Sequence, residues 1–158
     1  MSKPIDVEYT YSDKTIVIAG SVMGYLYSQR QLEPSTHERG GLLFGKEIKP
    51  YSIKINHVIS IKPKKSSPTF RETDLKEEKK QIKNEEKKGF HLMGFWHTHP
   101  EKSPSPSPLD QDNTTKIFTN SDHDMPLLAV IIVGEKNIDD FFIGVVSEKG
   151  IMKAKRRR

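Results

Sequence analysis

Two histidines one residue apart, His97 and His99, are the part of this sequence best suited to chemistry. They stand at the end of a run, His91 to Thr98, whose residue types read as a β-strand stopped by Pro100. Side chains alternate along a strand, so both imidazoles project from the same face a few ångströms apart. Neutral imidazole nitrogen binds zinc well, and two such ligands need a third from elsewhere to leave a catalytic site with an open fourth position. The chain has no cysteine. That removes disulfides, thiol nucleophiles and thiolate metal sites, so any metal must sit on His, Asp or Glu.

Eight residues beyond His99 comes Ser107, followed by Pro108, Leu109 and Asp110. Serine at an N-cap, proline at the first helical position and an acid at the third make a helix start, with Asp110 favourable near the positive helix end. Taken alone, that quartet is a cap. Taken with the two histidines, its fixed spacing has a chance probability of about one in a thousand. Glu38, just ahead of Gly40 and Gly41, would alone be an ordinary surface carboxylate; the paired glycines would let backbone approach a crowded metal centre. His37 and Glu38 do not form a zincin motif, because Gly41 stands where the second histidine would be.

The elements that must position these groups follow from periodicity and breakers. Thr15 to Ala19 fits a short strand, and Val22, Tyr25, Leu26 and Leu32 then recur at helical spacing until Pro34 and Ser35. Residues 40–48 and 51–61 read as two paired strands turning near Lys49 and Pro50. From Pro63 to Lys88 the composition shifts to lysine and glutamate, predicting a loop and then a solvated helix from about Thr73. The Ser/Pro alternation from Ser103 to Pro108 breaks the chain before a helix over 108–120. Leu127 to Val133 is apolar throughout, as in a strand buried on both faces, and residues 141–146 repeat that character. Trp96 and His91, on the strand leading to the site, are expected in the core or just behind the ligands.

The length of 158 residues suits one domain, here 1–152 with a basic tail over 153–158. The net charge of +5 is accounted for by Lys153, Lys155, Arg156, Arg157 and Arg158. The body is therefore neutral, which argues against nucleic-acid binding, and the tail is expected to be a solvated, disordered end. The longest apolar run is far shorter than the about 20 residues of a membrane span, and no signal-peptide pattern opens the chain, so a cytoplasmic protein is expected.

Residues 97–110, with Glu38 to Gly45 upstream, resemble the motif of the JAMM (MPN-plus) zinc metallopeptidases, which hydrolyse isopeptide bonds to ubiquitin or ubiquitin-like proteins. The resemblance implies a mixed α/β sandwich, a curved and mainly antiparallel sheet flanked by helices. It makes His97, His99 and Asp110 the ligands of one catalytic zinc, Glu38 the general base and Ser107 the donor to the oxyanion. Too few residues separate Asp110 from the strand near Leu127 for the long insertion with which larger eukaryotic members grip ubiquitin. The short chain and the run from Trp96 to Pro100 are similar to the bacterial branch, found beside E1-like and E2-like proteins in anti-phage systems such as CBASS. The expected substrate is a ubiquitin-like or other conjugated protein. Two alternatives stand beside it: trimming the C-terminus of a ubiquitin-like or sulfur-carrier precursor, which the same five residues would serve, and a non-catalytic MPN-type binding module, which lost ligands would mark and where none is lost here.

Overall fold

A computed structural model describes residues 5–50, 52–113, 127–147 and 150–157. Eleven strands and two complete helices follow one another as β1 (Val7–Tyr11), β2 (Lys14–Ile18), α1 (Gly20–Ser28), β3 (Gly40–Lys49), β4 (Ser52–Ser60), β5 (Lys65–Ser67), β6 (Phe70–Glu72), α2 (Leu75–Lys87), β7 (His91–Thr98), β8 (Leu128–Val133), β9 (Phe142–Ser147), β10 (Gly150–Lys153) and β11 (Lys155–Arg156). A further helix, α3, opens at 108 and is described as far as 113; the rest of the helix expected over 108–120 lies outside the described residues.

Nine strands form one sheet in the order β10-β9-β8-β7-β3-β4-β2-β1-β11, with β5 and β6 as a separate hairpin. Among the described residues, the β7–β8 and β2–β4 pairs are parallel and the others antiparallel. β8 is the central strand foreseen from its composition. Ala129, Ile131 and Val133 enter the large core beneath α1, whereas Leu128, Val130 and Ile132 pack on the opposite face. Such a strand has no polar face to offer, which is why its sequence is apolar throughout.

α1 buries Val22, Met23 and Leu26. It ends at Ser28, short of Leu32, which is 63% exposed, so the helical reading of Leu32 was wrong. α2 starts where Asp74 accepts a hydrogen bond from the Glu77 N–H (3.1 Å), a standard acidic N-cap. It is less purely solvated than its composition implied. Glu78 and Glu85 are buried, Glu85 against His57 Nε2 at 3.0 Å, which leaves lysines on the outer surface.

Two expectations fail outright. The stretch ahead of α2, read as loop, holds the β5–β6 hairpin, whose polar three-residue strands carry no apolar alternation. The basic tail is not a free end. After β10 pairs with β9, Ala154 donates its N–H to Ile143 O (2.8 Å), and β11 pairs with β1. Arg156 pairs with Asp139, and Arg157 reaches Glu8 at 2.8 Å. Backbone pairing and the 3% exposure of Ala154 hold a segment that charge counting alone assigns to solvent.

Candidate metal centre

The site is assembled where β7 ends, and the local fold explains how. Thr98 donates its N–H to Arg39 O and His99 its N–H to Val133 O, both at 2.9 Å, so the chain remains clamped between β3 and β8 past the last residue of β7. The two imidazoles share one face, with ring centroids 4.8 Å apart. His97 Nε2 lies 3.1 Å and His99 Nε2 3.2 Å from the same Asp110 Oδ2. The other ring nitrogen of His99, Nδ1, is 2.9 Å from Glu101 Oε1. That contact favours the tautomer protonated at Nδ1 and leaves the Nε2 lone pair facing the centre.

Asp110 is held by a reciprocal cap. Ser107 Oγ accepts from the Asp110 N–H (3.0 Å), while the Ser107 N–H donates to Asp110 Oδ2 (2.9 Å). The cap inferred from sequence is therefore present, and it aims the carboxylate at the histidines. Glu38 comes from the irregular segment before β3. It is 8% exposed, its N–H donates to Ser67 O (2.8 Å), and its carboxylate and the two imidazoles offer ligand atoms within 4.8 Å of one another.

The electrostatics differ from group to group. Burial pushes the Glu38 carboxyl up to about 7, aided by Asp110 and opposed by His99 and Arg71. Burial alone would raise Asp110 too, but contacts with the His97 and His99 rings and the Ser107 N–H outweigh it and hold the carboxyl well below the ordinary carboxylate range. His97 is lowered by burial despite Asp110, which keeps it neutral, the form that binds metal. For His99 burial is outweighed by Asp110, Glu38 and Glu101, and its pKa is raised. Although near Asp110, the buried His97 Nε2 has no hydrogen-bond partner. A buried nitrogen left without a hydrogen bond, beside a second imidazole and a carboxylate that converge on it, fits a zinc ion: the donor set is nitrogen and oxygen, with both imidazole nitrogens within 3.2 Å of one carboxylate oxygen.

The sequence reading missed Arg71, on β6. Its guanidinium occupies the space above Gly40 where a Cβ would stand, 2.3 Å from Nη2. Gly40 pairs in register with His97, so Arg71 sits beside the site. Its pKa is lowered by burial and supported by Glu78, Glu38 and Asp110, and its Nε is buried without a hydrogen bond. The paired glycines therefore serve a purpose other than the one expected. Gly40 admits Arg71, and Gly41 lets the Trp96 indole N–H reach Ile59 O at 3.0 Å, where a Cβ would lie 1.9 Å from that oxygen. Trp96 is core at 1% exposure, as expected; His91 is exposed and lies at the far end of β7.

Residues 26–144 match the family described as prokaryotic homologs of the JAB domain. The chain belongs to that family. Its mixed α/β architecture around a large, mainly antiparallel sheet is the JAB fold. Among curated proteins, this JAB domain is 33% identical over 145 residues to a CD-NTase/cGAS isopeptidase of Vibrio cholerae serotype O1, covering 88% of each chain. It is 31% identical over 154 residues to a protein of the same name from Escherichia coli, covering 92% of this chain and 90% of that one. Among solved structures, a protein from Desulfitobacterium hafniense superposes with a TM-score of 0.62 at 20% identity, covering 86% of this chain and 87% of that one. Among the described residues, no helix is long and apolar enough to cross a membrane.

Proposed function

We propose that this JAB domain is a zinc-dependent isopeptidase that hydrolyses the bond between a protein C-terminus, ubiquitin-like or otherwise conjugated, and a target amine in a bacterial anti-phage conjugation system. The observation that carries the reading is the convergence of His97 Nε2 and His99 Nε2 on Asp110 Oδ2, with the buried Glu38 carboxylate alongside. The relatives named CD-NTase/cGAS isopeptidase support a conjugated protein substrate in such a system; E1-like and E2-like proteins are the partners that the motif's resemblance to the bacterial branch suggests.

In this reading His97, His99 and Asp110 hold one zinc. The bound ion supplies Lewis acidity and activates water near neutral pH. Glu38 takes a proton from the attacking water and returns it to the departing lysine amine, which must be protonated to leave. A buried carboxyl raised towards neutrality suits both halves of that task. Ser107 Oγ accepts the Asp110 N–H with a lone pair, so its own hydrogen is available to the carbonyl oxygen as charge develops there.

The test is a substrate trap. Zinc-loaded Glu38→Ala protein is used to capture conjugates from host extract, with wild type alongside and mass spectrometry for lysine-branched peptides. Branched species enriched by the variant and absent with wild type support the proposal. Capture of only an unbranched, C-terminally extended precursor replaces it with the processing activity, and Glu38→Ala protein that still turns over excludes Glu38 as the base.

A further inference from the structure

Strand alternation that sends His97 and His99 to one face sends Thr98, between them, to the other. Thr98 is fully buried, and its hydroxyl donates to Gln31 Oε1 at 2.6 Å while accepting the Arg39 N–H at 3.0 Å. Gln31 is itself 2% exposed. Its Nε2 uses both hydrogens, one on Thr36 O and one on Pro68 O, each at 2.8 Å. One carboxamide thus joins three segments that lie far apart in sequence from one another. The first is the end of β7 with the two histidines, the second is the stretch from 36 to Glu38, and the third is the turn between β5 and β6, the hairpin that carries Arg71 and whose Ser67 O holds the Glu38 N–H.

We infer that Gln31 is a positioning residue that sets the Glu38 carboxylate against the His97 and His99 pair through Thr98, Thr36 and Pro68. The chemistry of the fork demands this side chain. Glutamate supplies the acceptor for Thr98 but sets carboxylate oxygens against two carbonyl oxygens, leucine supplies nothing, and asparagine is one methylene short. A buried amide with all three bonds made is rigid, and its loss leaves the buried Thr98 hydroxyl and the half-buried Thr36 and Pro68 carbonyls without that partner. A shift of about 1 Å between a base and the reacting atoms costs about 10²-fold in rate.

The turnover arm of the test rests on the proposed hydrolysis; the exchange arm does not. Gln31→Leu, Gln31→Glu and Thr98→Val are compared with wild type by amide hydrogen exchange, zinc content and hydrolysis of a lysine-branched peptide. Glu38 is the diagnostic amide, because its own acceptor, Ser67 O, is untouched by every substitution. The expected result is a loss of Glu38 protection by about tenfold or more in all three variants, while the Ala19 and Ala154 amides stay within about twofold of wild type. Zinc content stays full, kcat falls by about 10- to 10²-fold and KM changes by less than about twofold. Unchanged Glu38 protection in a folded variant overturns the inference, as does an equal loss at Ala19 and Ala154, which would mark general destabilisation. Should Gln31→Leu fail to fold, Gln31→Glu, which keeps the acceptor for Thr98 and removes the two amide donors, decides. If wild type cleaves no branched peptide, the proposed function falls and the exchange result still decides the role of Gln31.

Discussion

Replacing Ser107 separates two contributions that meet on one hydroxyl. As a lone-pair acceptor, Ser107 Oγ caps α3 through the Asp110 N–H at 3.0 Å. Losing such a cap costs about 1 kcal/mol, which in a chain of this length lowers Tm by about 2–4 °C. As a donor it would serve the carbonyl oxygen during hydrolysis, and losing one oxyanion donor lowers kcat by about 10²- to 10³-fold, or about 3–4 kcal/mol of transition-state stabilisation. The two magnitudes are far enough apart to read independently. Ser107→Ala is expected to show both effects, and Ser107→Thr, which keeps hydroxyl and cap, to show little of either. Ser107→Asp restores the cap but offers no proton, so it should recover Tm and not turnover. The assays are thermal unfolding and steady-state cleavage of a lysine-branched peptide at full zinc occupancy. Ser107→Ala with a lowered Tm and wild-type kcat would refute the donor role and leave Ser107 a cap alone.

The remaining predictions concern the proposed ligands, the proposed base and the C-terminal segment. His97→Ala, His99→Ala and Asp110→Ala should each lose zinc and turnover together, measured by metal analysis after gel filtration; full zinc occupancy in any of them contradicts the ligand assignment. In metal-free protein, Glu38 binds its proton more tightly folded than unfolded, since its pKa rises from 4.5 to about 7. Its contribution therefore favours folding at low pH, and wild type should lose stability relative to Glu38→Gln as pH rises between those values, by about 3 kcal/mol in all, and then level off. Parallel denaturation curves across that range test this, and a pH-independent difference rejects it. Deleting residues 154–158 should lower Tm by several degrees, because Ala154, β11 and the pairings of Arg156 and Arg157 go with it. An unaltered Tm would mean those contacts contribute nothing.

The parts of this molecule legible in its sequence are those where one local signal governs. β8 announced itself because a strand buried on both faces must be apolar at every position, and α2 because its lysines and glutamates are good helix formers. The meeting of His97 and His99 was legible through side-chain type and spacing, since they must share a face wherever that strand lies. β5, β6 and β11 were not, because short polar strands owe their pairing to neighbours distant in sequence. Arg71 and Gln31 were invisible for the same reason. Each matters through a contact, with the open face of Gly40 or with Thr98, that forms only once segments far apart in the chain are packed together.

The path of the C-terminal segment also bears on how this sheet avoids its own kind. A nine-stranded sheet ends in two rows of backbone groups open to pairing with another molecule, the usual seed of aggregation. Here both ends are supplied by one short stretch, β10 on one side and β11 on the other, the first four residues long and the second two. β11 is a lysine and an arginine, and it pairs with Tyr9 and Thr10 of the longer β1, whose Val7, Tyr9 and Tyr11, alternating with Glu8 and Thr10, would otherwise be an inviting template. Until that stretch docks, the β1 edge stands open. The basic residues that a charge count sets aside as a tail thus act as gatekeepers, and a variant lacking them should aggregate from its partly folded state before it loses its native fold.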